Sequence, residues 1–169
     1  MLGKMKLPLL TGKYFEVTGG PYKEADLMRF VGVKMAKEIN LAADVNVPTV
    51  DFSVPKVADL TKGIREAVGY IVNGYPVYVG CMGGKGRTGL FMAILAKAWG
   101  IDLPVKYVRA NYYSHAVETE GQYEFVKNYK VPRDVVQMVR RAKIMSPFGL
   151  VRNKTNYKKL PGMALPGNI

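Results

Sequence analysis

A chain of 169 residues can bury one good core but is short for two, and 49% hydrophobic with 22% charged residues is a globular balance that excludes a disordered polyelectrolyte. The net charge of +12 suits a polyanionic or acidic partner (nucleic acid, anionic lipid, a phosphorylated protein), or else a solvated basic face. One cysteine and one histidine, His115, exclude an internal disulfide and a structural zinc site, and no apolar run nears the ~20 residues that span a bilayer.

Residues 1–10 carry positive charge, but their apolar stretch is too short and broken for a signal peptide, so the expectation is a soluble, cytoplasmic protein without cofactor or metal. Tyr14-Phe15-Glu16-Val17 then predicts a short strand closed by Gly19-Gly20-Pro21. From Glu24 to about Ile39, apolar Leu27, Phe30, Val31, Val33 and Met35 mix with Lys34, Lys37 and Glu38, which predicts an amphipathic helix. Val45 to Phe52, rich in Val and Thr, predicts a strand. Lys56 to Val72 places Val57, Leu60, Ile64, Ala67, Val68 and Ile71 at spacings of three and four, a helix with one buried face.

Gly74-Tyr75-Pro76 breaks that helix, and Pro76 to Gly80 is apolar at nearly every position, like an interior strand. A glycine-rich loop follows at once. Leu90 to Trp99 is apolar almost all round, as in a helix buried on most sides. Three more helices are predicted over Val105–Tyr113, Thr119–Tyr129 and Arg133–Ile144. Residues 146–169, with Pro147, Pro161 and Pro166, show no periodicity and predict a basic, extended tail. Early strands and late helices around a central strand-loop-helix argue for a single α/β domain over residues 1–145.

Cys81-Met82-Gly83-Gly84-Lys85-Gly86-Arg87-Thr88 joins the interior strand to the apolar helix. Glycines there let successive backbone N–H groups converge, and with the positive end of the helix they make an anion site. Arg87 adds a planar fork for two phosphate oxygens. Cys81 would lie at the floor of this cup, where such surroundings favour a thiolate.

Other readings of the loop are weaker. Gly84-Lys85-Gly86-Arg87-Thr88-Gly89 fits the dinucleotide pattern G-x-G-x-x-G, but no acidic strand end follows ~20 residues on. The Walker pattern fails because Gly86, not Ser or Thr, follows Lys85. A glycine-rich turn with an incidental cysteine is the bland alternative.

The spacing of Cys81 and Arg87 is the C-x5-R signature of the protein tyrosine phosphatase superfamily, and Cys81 to Gly89 resembles the loop of its dual-specificity and phosphoinositide members. Val50-Asp51-Phe52-Ser53-Val54-Pro55 resembles the family's mobile acid loop, Trp-Pro-Asp-Phe-Gly-Val-Pro. Glu118 to Phe125 resembles its Gln-Thr-x-x-Gln-Tyr-x-Phe segment. Asp51 stands 30 residues before the cysteine and Gln122 stands 41 after it, in the family's order.

The resemblance covers about residues 47 to 130 and implies a protein tyrosine phosphatase-like fold, a central, mostly parallel sheet flanked by helices. It implies a phosphomonoester hydrolase of tyrosine or dual-specificity type, with a phosphorylated protein as substrate. Cys81 would be the nucleophile and form a phosphocysteine. Met82, Gly83, Gly84, Lys85, Gly86 and Arg87 would hold the phosphate. Asp51 would protonate the leaving oxygen and later take a proton from water. Gln122 would position that water, and Thr88 would donate to the departing sulfur.

The chain departs from the pattern in three places. Gly80 stands where the family usually has histidine, Thr49 and Val50 replace the Trp and Pro of the acid loop, and Glu118 replaces the first Gln. Lys85 and the basic charge keep a phosphoinositide or RNA 5′-phosphatase open, and a non-catalytic phosphate-binding module is the reading from another class.

Overall fold

The computed structural model describes residues 1–145; the predicted tail lies outside them. Strands β1 (Gly3–Pro8), β2 (Tyr14–Pro21), β3 (Val31–Ala36), β4 (Val45–Thr49) and β5 (Val77–Cys81) form one sheet in the order β1-β2-β5-β3-β4. Only the β1–β2 pair is antiparallel; β2–β5, β5–β3 and β3–β4 run parallel. Helices α1 (Val57–Val72), α2 (Gly86–Ala98), α3 (Pro104–Asn111), α4 (Glu120–Asn128) and α5 (Arg133–Met145) complete the domain. This is the expected α/β architecture with a mostly parallel sheet.

Two N-terminal elements differ from the expectation. Gly3–Pro8 is a strand, with Met5 and Leu7 fully buried between outward lysines, and Lys4 pairs with Glu16 across the ladder at 3.0 Å. The helix predicted over Glu24–Ile39 does not form. A 3-10 turn at Tyr22–Glu24 leads instead into β3, a central strand buried at five of its six positions. Its Val-Gly-Val core suits a covered strand better than a helix. Lys34 misleads the eye: its ammonium donates to the carbonyls of Ile39 and Leu41, folding the loop after β3 rather than facing open solvent.

The helices lie where predicted, except that α2 starts at Gly86 rather than Leu90 and Val57 at the start of α1 is exposed. The strand predicted over Val45–Phe52 ends at Thr49 and turns there into the acid loop. In α2 every residue but Lys97 is buried, which makes it the central helix. Trp99, at its end, is 2% exposed and meets Phe15 edge to face. No helix among the described residues is long and apolar enough to cross a membrane.

Candidate active site

β5 is the innermost strand of the parallel set, buried at all five positions and flanked by β2 and β3. Cys81 is its last residue. Open α/β sheets receive ligands outside the carboxyl ends of such central strands. The loop 82–85 then climbs to α2, whose first turn holds no acidic residue and no side-chain cap, so its N–H groups remain for an anion. Met82, Gly83 and Lys85 are exposed on the lip while Cys81, Gly84 and Gly86 are buried. The Lys85 ammonium sits 5.8 Å over the Tyr113 ring.

Main-chain packing stiffens this loop. Gly84 lies at φ +74°, and a Cβ there would come within 2.4 Å of the Gly20 carbonyl carbon. Its N–H donates to Cys81 Sγ at 3.2 Å, and the buried Tyr112 hydroxyl donates to its carbonyl at 2.6 Å. Burial, with the Cys81 sulfur nearby, pushes the Tyr112 phenol far above its ordinary pKa, so it stays a donor. Sequence reasoning missed Tyr112, which reads as one more aromatic at a helix end.

Gly80 is explained by the same packing. A Cβ at residue 80 would lie 2.7 Å from Tyr22 Cα and 2.9 Å from the Gly20 carbonyl oxygen, so main chain of β2 and the following turn occupies the space a histidine side chain would need. Gly80→Ala is therefore expected to cost ~1–3 kcal/mol of stability, and Gly80→His more, rather than restoring a missing group. Thermal melts of the two variants check this.

Arg87, 1% exposed, is the electrostatic centre. Its Nη1 donates to Glu38 Oε2 at 2.8 Å and to the Thr49 carbonyl at 2.8 Å, and its Nη2 donates to Glu38 Oε1 at 2.6 Å. Nη2 also meets Asp51 Oδ1 at 3.0 Å. Nε is buried with no partner among the described residues. The end of the guanidinium is thus spent on Glu38, while on its Nε–Nη2 edge Asp51 sits at Nη2 and Nε is unpartnered among the described residues.

Glu38 was not among the expected site residues. It follows β3, and hydrogen bonds from Arg87 hold its carboxyl below the usual carboxylate range. A folded pKa below the unfolded one contributes stability above about pH 4.5, lost as pH falls through the lower folded value. Glu38→Gln is expected to lower the melting temperature by about 2–4 °C at neutral pH, the size of a half-exposed pair worth ~1 kcal/mol. It should also flatten the fall of melting temperature between about pH 5 and pH 3.

The β3–β4 register shifts between Lys34–Asn46 and Ala36–Thr49, so that Val47 and Pro48 stand opposite Met35, and Pro48 has no N–H to give. Beyond that shift the Thr49 carbonyl accepts from both Lys37 N and Arg87.

The remaining expected residues gather here too. Asp51, on the exposed loop after β4, accepts from Phe52 N at 3.0 Å. Gln122, fully buried, accepts from Glu118 N and Thr119 N in a capping box that starts α4, and its Nε2 donates to the Ser53 carbonyl at 3.2 Å. The amide thereby ties α4 to the acid loop and keeps one further hydrogen. Thr88 is fully buried, and its hydroxyl has no partner among the described residues. No group of three or more metal-ligating side chains occurs among the described residues.

Known proteins share this fold. Tk-PTP in its active form aligns with a TM-score of 0.51 at 26% identity, over 64% of this chain and 80% of that one. A cysteine-to-serine form of kinase associated phosphatase gives 0.55 at 15% identity over 80% and 96% of the two chains, and DUSP15 gives 0.52 at 15% over 85% and 97%. At 15% identity these two speak for the fold alone.

Two uncharacterized proteins of Methanocaldococcus jannaschii are 43% and 41% identical over 83 residues, 49% of this chain. The chain spans about half the length of these curated relatives, 56% and 52%. The match to a family model described as the tyrosine phosphatase family runs over residues 27–153, from before Glu38 to beyond Gln122. A match of that extent, with the cysteine and arginine sharing one buried cup, means that the chain belongs to the tyrosine phosphatase family.

Proposed function

We propose that this chain hydrolyses phosphomonoesters through a phosphocysteine on Cys81, with phosphotyrosine, and also phosphoserine or phosphothreonine, of proteins as the substrate class. One observation carries the reading: Arg87 is almost wholly buried and close enough to Cys81 to feel its charge, yet its Nε–H has no partner among the described residues. A buried donor without an acceptor costs about 1–3 kcal/mol. A phosphoryl oxygen is the acceptor that the loop N–H groups would hold beside it.

In the first step the Cys81 thiolate attacks phosphorus, the P–O bond to the leaving group breaks, and Asp51 supplies the proton. Loop N–H groups and the Arg87 edge stabilise the phosphoryl group in transit. Water then cleaves the S–P bond, its proton passing to a carboxylate; the resemblance gives that part to Asp51. The Thr88 hydroxyl would donate to the sulfur as it leaves, and the second Nε2 hydrogen of Gln122 would face the water.

Turnover of 4-nitrophenyl phosphate by the full chain, abolished in Cys81→Ser, tests this reading. Activity that survives Cys81→Ser refutes it, and phosphate binding without any turnover would assign a binding module instead. Lys85, exposed on the lip, favours a second substrate class of polyanionic esters. A panel of phosphopeptides, inositol lipids and RNA 5′-phosphates separates the two.

A further inference from the structure

We propose that Glu118 is the base that takes the proton of the attacking water, so that the two steps use two different carboxylates; this rests on the phosphocysteine reading above. The position stands where the resembling segment has glutamine, and a carboxylate there can accept a proton as well as hold a water.

Geometry brings Glu118 to the cup. A Cβ built on Gly86, the first residue of α2 and the neighbour of Arg87, would lie 2.6 Å from Glu118 Oε2. The chain is forced to put it there. Among the described residues, two non-glycine residues have positive φ: Phe52 at 56° and Val117 at 60°. Each adjoins a carboxylate at the mouth, Asp51 and Glu118 respectively. For a β-branched residue such as Val117 this conformation costs of order 1–3 kcal/mol, and it persists only where its surroundings impose it.

The surroundings of Val117 do so. Arg109 donates from Nε to the Ala116 carbonyl and from Nη2 to the Val117 carbonyl, both at 2.9 Å. The Glu118 N–H donates to Gln122 Oε1 at 2.9 Å. Gly89 of α2 leaves room for the segment, since a Cβ there would lie 2.7 Å from Val117 N. Residues 116–118 are therefore pinned on both sides, with Glu118 projecting from the end.

The two carboxylates differ in their support. Asp51 sits on an exposed loop and binds Arg87, so it must move when phosphate arrives. Glu118 stands on fixed backbone beside the N-terminus of α2, and Gln122 bonds both to its N–H and to the Ser53 carbonyl of the acid loop. Asp51 thus follows the leaving group while Glu118 stays with the water.

In the second step the water oxygen bonds to phosphorus, and the S–P electron pair returns to Cys81 as thiolate. One water proton goes to the Glu118 carboxylate, and the other stays on the phosphate released. Charge and protons balance without a co-reactant.

A simpler role, a carboxylate attracted to the positive end of α2, would leave the two steps unchanged. Rapid mixing with 4-nitrophenyl phosphate tells these apart, because the burst of nitrophenolate reports the first step and the steady rate the second. Glu118→Gln is expected to keep the burst, lower the steady rate by about 10²-fold or more, and accumulate a chain heavier by one phosphoryl group on Cys81. Glu118→Asp should recover part of the steady rate.

The proposal is overturned if Glu118→Gln turns over at the wild-type rate. It is also overturned if the burst itself is lost, or if Asp51→Asn, and not Glu118→Gln, traps the phosphoryl group. A wild-type chain with neither burst nor turnover would instead sink the phosphatase reading on which it rests.

Discussion

Arg87→Lys is expected to lower kcat/KM for an aryl phosphate by about 10³-fold or more while the chain still folds. One preorganised donor aimed at developing charge is worth about 10²–10³ in rate, and the lysine loses the paired Nε–Nη2 edge that would meet two phosphoryl oxygens. A lysine carries its three N–H donors on one atom and cannot reach apart to Glu38, the Thr49 carbonyl and a phosphate. The arginine meets the first two through Nη1 and Nη2 and keeps Nε unpartnered among the described residues. The variant keeps the positive charge, so any loss reports geometry rather than charge. Steady-state kinetics with 4-nitrophenyl phosphate, alongside a melting curve, measure it. A variant with wild-type kcat/KM would remove Arg87 from the transition state.

The parts of this site that were legible in the sequence are those separated by a few residues. Cys81 and Arg87 are six positions apart, and the strand before them with the four glycines and helix start between and after them say what the segment must do. Asp51 became readable through its neighbours Phe52, Val54 and Pro55. Glu38 stayed hidden because nothing local marks it: it lies 49 residues from Arg87, and the stretch before it mimics a helix. Once Val31–Ala36 is a strand beside β5, the residues just past its end fall next to the arginine.

Gly80 carried the opposite lesson, since comparison with a pattern made it a deficiency and the packing of Gly20 and Tyr22 makes it a requirement. Glu118 was visible only as a departure. The backbone strain at Val117, which no periodicity encodes, turned it into a positioned carboxylate.

Asp51→Asn should change two quantities in opposite directions. Turnover of a phenyl phosphate with a poor leaving group is expected to fall by about 10²–10⁴, since no proton meets the departing oxygen. With 4-nitrophenyl phosphate, whose leaving group needs little help, the loss should be much smaller. Inorganic phosphate, by contrast, should bind more tightly. Asp51 Oδ1 lies 3.0 Å from Arg87 Nη2, on the edge proposed for a phosphate oxygen, where its negative charge would oppose a dianion. Asparagine keeps the shape, removes the charge, and weakens the hold on the arginine.

A loop displaced by phosphate would have room to move. A cleft of about 570 Å³ lies beside it, lined by Phe52, Ser53, Val54 and Val57 on one side and Thr119 and Phe125 on the other. The ties across it are light, one from Gln122 Nε2 to the Ser53 carbonyl and a long one of 3.5 Å from Thr119 to the Phe52 carbonyl. Competitive inhibition by phosphate, measured on Asp51→Asn and wild type with the same substrate, gives the second quantity. Weaker phosphate binding in the variant would mean that Asp51 assists the anion instead of guarding the arginine, and that the bond at Nη2 is not the contact substrate must break.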